Sequence, residues 1–126
     1  MRHVARAAAF AILIVALSQP ARAQRTETQV AELFEKAAAE EFKRAKAKPS
    51  TDSAALLHDS IEQGANRLVS EKRTSDREIS AAEKLIRRFA AEMVKNGERQ
   101  SDGTLRLGES SFAAAQKSLC PLYPFC

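Results

Sequence analysis

The sequence predicts an all-α fold: a small bundle of three long amphipathic helices, followed by a short C-terminal helix and a cysteine-bounded loop. Three observations carry that expectation. Apolar residues recur at steps of three and four through three long segments, a Ser or Thr stands before each as a cap, and Gly and Pro fall mainly between them.

The first segment runs from about Glu27 to Lys48. Thr26 and Gln29 have the spacing of a capping box, in which hydroxyl and amide each satisfy an orphan backbone N–H. Val30, Leu33, Phe34, Ala37, Ala38, Phe42 and Ala45 then form one stripe, and Pro49 ends the helix because the residue before a proline avoids helical geometry. Glu27, Glu32 and Glu35 lie early while Lys43, Arg44, Lys46 and Lys48 lie late, which complements the helix macrodipole. Glu32–Lys36 and Glu40–Arg44 have the spacing of favourable i,i+4 pairs.

Ser50-Thr51-Asp52 caps a second helix to about Lys72, with Ala54, Leu57, Ile61, Gly64 and Leu68 on its apolar side. Glycine costs about 1 kcal/mol relative to Ala inside a helix, so Gly64 on the apolar stripe points to a close crossing by a neighbouring helix. Ser75 and Glu78 form another capping box, and Ile79, Ala82, Ile86, Phe89 and Met93 follow at steps of three and four, widened by Leu85, Ala90 and Val94. Asn96-Gly97 stops this third helix. With neither Pro nor Gly between the second and third helices, a single rod from Ser53 to Lys95 is an alternative reading.

From Glu98 to Gly108 the chain is polar, with Asp102-Gly103 as a turn and Leu105 and Leu107 as a short extended piece lacking an evident partner. Ser110 or Ser111 then caps a short helix bearing Phe112, Ala115 and Leu119. The domain organisation read from this pattern is a leader at 1–23, a helical bundle at 24–108, and the short helix with its loop at 109–126.

The leader has the three zones of a secretory signal. Arg2, His3 and Arg6 make a basic start, Ala7–Leu17 an apolar run, and Ala21-Arg22-Ala23 a small-x-small site with cleavage before Gln24. The run holds 11 residues, against about 20 needed to span a bilayer, so no permanent membrane anchor is expected, and no Cys follows it to carry a lipid. A periplasmic or secreted location follows.

Residues 24–126 hold 17 basic and 16 acidic side chains, a net charge of +1. A binder of nucleic acid or of an anionic membrane would be expected to keep a surplus of Lys and Arg, so the balance argues against both. The same residues include 22 large apolar side chains, a thin core for a small domain, and one that association or cross-linking would supplement.

Cross-linking is available. An exported chain enters a compartment where disulfides persist, and Cys120 and Cys126 both follow the cleavage site, so a Cys120–Cys126 bridge is expected, worth about 2–2.5 kcal/mol on a chain-entropy argument. The plainer role is a staple. The functional one makes Leu122, Tyr123 and Phe125, stiffened by Pro121 and Pro124, an apolar knob for a partner, since a rigid loop loses less entropy on binding.

No catalytic set emerges, and no enzyme activity or cofactor is expected. The four Gly are dispersed, no G-x-S-x-G elbow exists, and the single His after the leader, His58, has only Glu62 one turn on as a companion ligand, too few for a closed zinc site. The expected function is protein–protein contact as an adaptor, chaperone-like factor or inhibitor. The alternative is an envelope-ligand binder using Arg77, Lys84, Arg87, Arg88 and Lys95 against an anionic lipid or polymer.

Overall fold

The computed structural model describes residues 24–126, so the leader and its cleavage site lie outside the described residues. Helix α1 (Glu27–Arg44) leads into strand β1 (Ala47–Pro49), followed by α2 (Thr51–Ser70), α3 (Asp76–Lys95), β2 (Glu98–Arg99), β3 (Leu105–Leu107) and α4 (Glu109–Leu119). The protein is therefore mostly helical, with four helices and a small three-stranded sheet.

The start of each long helix follows its local chemistry. Thr26–Gln29 and Ser75–Glu78 form complete capping boxes, and Ser50 caps α2 by accepting from the Ser53 N–H. The expected stripes face inward: Val30, Phe34, Ala37, Ala38 and Phe42 on α1, Leu57, Ile61 and Leu68 on α2, and Ile79, Ala82, Ile86, Phe89 and Met93 on α3. Phe112, Ala115 and Leu119 bury α4, where the Phe112 ring lies 5.3 Å from that of Phe89. Helices α1 and α4 each pack against both α2 and α3, so α4 is a full member of the core rather than an appendage to three helices.

The second and third helices are not one rod. Helix α2 ends in a Schellman motif: Arg73 N–H donates to Leu68 O (2.8 Å), and Lys72 N–H to Val69 O (3.1 Å). This places Lys72 at φ 56°, a left-handed conformation usually given to Gly. The Ser75 capping box then restarts the chain as α3. A non-glycine residue at that position hides the stop from a search for Gly and Pro.

The all-α expectation fails at the sheet. Helix α1 stops at Arg44, because Lys46 turns the chain at φ 54° and Ala47–Pro49 extends. Ala47, Lys48 and Pro49 pair in parallel with Leu105, Arg106 and Leu107, while β2 pairs antiparallel on the other side of β3. Proline is tolerated there because β1 is an edge strand. The extended Leu105–Leu107 piece thus gains two partners, one of them 58 residues upstream.

Two buried serines tie the elements together, Ser53 joining the sheet to α2 and Ser111 joining α4 to the end of α3. Ser53 is buried where the stripe predicted Ala54; its hydroxyl donates to Leu107 O at 2.6 Å, beside Ser50 N–H at 2.8 Å to the same oxygen, and Ala54 is exposed. Ser111 is likewise buried, but it does not cap α4. Gly108 is the N-cap residue, without a side-chain bond, and the Ser111 hydroxyl donates to Asn96 O (2.8 Å) at the end of α3.

Candidate functional site

The C-terminal loop is closed by the Cys120–Cys126 disulfide, and its other side chains face mostly inward. Phe125 occupies the notch left by Gly64: a Cβ at that position would stand 2.5 Å from Phe125 Cδ1. The same ring meets Phe34 edge-on, with centroids 5.5 Å apart and planes at 67°. The close approach expected at Gly64 is therefore made by this loop, not by a crossing helix.

Tyr123 is held by charge. The guanidiniums of Arg67 (4.5 Å) and Arg73 (5.1 Å) both stand over its ring, and its hydroxyl donates to Glu71 Oε1 at 2.7 Å. Donation from Tyr123 holds the Glu71 carboxyl below the usual carboxylate range, while burial and then the Glu71 contact push the phenol up. Arg67 Nη1 also donates to Cys126 O (2.6 Å). Pro124 is buried, and Leu122, at 36 % exposure, is the loop's most exposed large apolar side chain.

His58 forms a second tether. Its Nδ1 lies 2.8 Å from Glu35 Oε1 on α1, and its Nε2 lies 3.3 Å from Glu62 Oε1 on α2. The two carboxylates thus face different ring nitrogens and share no point at which they and the imidazole could bind one metal ion; among the described residues no group of three or more His, Cys, Asp or Glu is arranged to do so. The Glu35 hydrogen bond, then the charges of Glu62 and Asp59, raise the His58 pKa. Folding therefore favours the protonated ring, and the resulting stability is fully present below the ordinary value of 6.5 and lost as pH rises through the elevated value. The urea midpoint of His58→Gln should fall below that of the parent protein at pH 5.5 and converge with it under alkaline conditions; a pH-independent gap would refute the ionic tether.

The five basic residues expected on α3 do not act as one group. Arg87 reaches α1, donating to Glu40 Oε1 at 2.5 Å; this contact raises the Arg87 pKa and lowers that of Glu40. Arg77, Lys84, Arg88 and Lys95 are exposed, and no ion pair neutralises them among the described residues. At about 100° per residue their offsets of 7, 11 and 18 positions place them within roughly 40° of one another, on a line about 27 Å long. The small side chains of Ser80, Ala81 and Ala91 flank that line, and so does Glu92, one turn after Arg88 and three residues before Lys95.

Two placements in this ridge run against the electrostatic interest of the helix, whereas Lys95 in the last turn complements the macrodipole. Arg77 sits in the first turn, at the positive end of the macrodipole. Lys84 and Arg88 are a like-charged i,i+4 pair, which costs an isolated helix about 0.2–0.5 kcal/mol. Of the four acids on α3, Asp76 pairs with Arg25 and Glu78 with Arg73 and Ser75, while Glu83 and Glu92 make no ion pair among the described residues.

No known family model matches the chain, and neither a curated protein nor a solved structure matches it. Among the described residues no helix is long and apolar enough to cross a membrane. The disulfide fits an oxidising compartment. Inter-helix pairing is what sequence reasoning misses here: the i,i+4 spacing pairs Glu40 with Arg44 along α1, but Glu40 meets Arg87 across the bundle, and Arg44 meets Glu41.

Proposed function

We propose that this is an exported, non-enzymatic binding protein that recognises an anionic ligand, lipid headgroup or polymer, through the cationic ridge of α3. One observation carries the reading: four exposed cations share one line and make no ion pair among the described residues, Glu92 being the one acid beside the row, and two of their placements disfavour the helix that bears them. Helix stability accounts for Lys95, in the last turn, but not for Arg77 or for the Lys84–Arg88 pair. The near-neutral total charge is compatible with it, because a local field depends on where charges stand rather than on their sum.

The test is retention on phosphocellulose. The Arg77→Gln/Lys84→Gln/Arg88→Gln/Lys95→Gln variant should elute at clearly lower salt than the parent protein. Removing four cations elsewhere, Lys36→Gln/Lys43→Gln/Lys46→Gln/Lys117→Gln, should shift elution much less. Equal shifts would mean that the column reads net charge, and the ridge would lose its role.

A second reading, contact with a protein through the loop, rests on Leu122, whose side chain projects from a disulfide-closed loop. Tyr123 and Phe125 contribute less to it because their rings already contact Arg67, Arg73, Gly64 and Phe34. A partner captured by the parent protein but not by Leu122→Ala, with binding that survives physiological salt, would favour this reading.

A further inference from the structure

The geometry points to a linear, phosphate-bearing polyanion laid lengthwise along α3, an inference that rests on the anionic-ligand reading above and names its ligand class. The ridge is one row, not a patch. Along the helix axis the intervals Arg77–Lys84, Lys84–Arg88 and Arg88–Lys95 are about 10.5, 6 and 10.5 Å. At about 3.4 Å per phosphate, the rise of one nucleic-acid strand, the row spans roughly eight phosphates and meets them at four points.

The row is pre-organised. The opposite side of α3 is anchored by Ile79, Ile86, Phe89 and Met93, all buried, so binding does not have to order the helix and loses less entropy than a flexible arm would. Arg87, the one other cation in this segment, is turned away to Glu40 on α1, which leaves the row single. Between Arg77 and Lys84 the small side chains of Ser80 and Ala81 let a chain lie close to the helix, and between Arg88 and Lys95 Ala91 does so on the side away from Glu92.

The same features disfavour a bilayer surface. A helix that lies in a membrane interface buries an apolar face among the lipids while its cations meet the headgroups. The exposed large apolar side chains of the described residues are Leu56 on α2 and Leu122 in the loop, and α3 has none. The ridge also lacks the aromatic platform on which bases stack, so it would read regularly spaced charge, whether the phosphates belong to inorganic polyphosphate or to a single nucleic-acid strand.

The experiment is equilibrium binding of the disulfide-intact protein, residues 24–126, to four probes at equal phosphate concentration: tripolyphosphate, a twelve-phosphate chain, a twelve-nucleotide homopolymer, and vesicles rich in phosphatidylglycerol. The twelve-phosphate chain should bind at least tenfold more tightly than tripolyphosphate, and at least tenfold more tightly than the vesicles. Its log K against log salt should fall with a slope near −3, about 0.7 for each of four contacts. Lys84→Gln should make that slope shallower by about 0.7 while leaving the helical circular dichroism unchanged. Nucleotide binding within tenfold of the polyphosphate supports charge spacing as the feature read, and tighter nucleotide binding assigns the phosphate source to nucleic acid.

Three results would overturn the inference while preserving the anionic-ligand reading: affinity independent of chain length, vesicles bound as tightly as the long chain, or an unchanged slope in Lys84→Gln. Failure of all four probes would overturn the anionic-ligand reading itself.

Discussion

Gly64→Ala is expected to destabilise the protein by about 2 kcal/mol when Phe125 is present and to stabilise it by up to about 1 kcal/mol when Phe125 is replaced by Ala. The reversal follows from two opposed effects at one position. In a helix interior Ala is favoured over Gly by about 1 kcal/mol, but here the added methyl would stand 2.5 Å from Phe125 Cδ1, and overpacking of this kind costs typically 1–3 kcal/mol. The ring cannot retreat freely, because the disulfide, the buried Pro124 and the Tyr123–Glu71 hydrogen bond hold its loop.

Urea denaturation of the parent, both single variants and the double variant closes the cycle. Tyr123 is the sole Tyr and the chain has no Trp, so tyrosine emission reports directly on whether the loop has left its seat. Strictly additive effects, or an unchanged tyrosine signal in Gly64→Ala, would refute the notch as the seat of the loop.

Leu107→Ala should be the larger loss, about 3–4 kcal/mol, in the range measured for fully buried leucines. Leu107 is completely buried in the central strand. One of its methyls lies where a side chain at Gly97 would be, since a Cβ there would stand 2.6 Å from Leu107 Cδ2. Its carbonyl receives the Ser50 N–H and the Ser53 hydroxyl. Truncation therefore opens a cavity where the sheet, the start of α2 and the end of α3 meet, and the core is too thin to refill it. Leu105→Ala, only half-buried one pleat away, is the comparison and should cost well under half as much. A Leu107→Ala protein within 1 kcal/mol of the parent by urea denaturation would show that the sheet is an ornament of the helical core.

Both predictions fall on features that periodicity did not reveal, and for a physical reason. A Gly on an apolar stripe signals that something comes close, but the spacing of side chains along one helix carries no information about which distant segment arrives. The ring that fills the notch is 61 positions away, in a loop whose aromatic residues resemble a binding surface when only their composition is considered. Likewise Ala-Lys-Ala-Lys after a long helix has good helical propensity. Its conversion to β1 depends on pairing with Leu105–Leu107, which supplies the ladder bonds and buries Ala47.

Local chemistry was legible where neighbours within six residues settle the outcome. The Thr26 and Ser75 capping boxes, the Ser50 cap, the stripes of α1 and α3, and the short cysteine pair all follow from such spacing. The row of Arg77, Lys84, Arg88 and Lys95 was legible as basic but not as a row distinct from Arg87. Separating them required knowing that Glu40 of α1 stands beside Arg87.

The sequence by itself thus determined where the three long helices begin, which faces of α1 and α3 turn inward and which cysteines join, because caps, helical period and a short loop are governed by contacts a few residues apart. Only the tertiary structure decided that β1 leaves the first helix, that Lys72 rather than a Gly breaks the second from the third, that Phe125 closes on Gly64, and which cations remain free. Each of those outcomes depends on the free energy of contacts between segments far apart in the chain, and local spacing does not encode it.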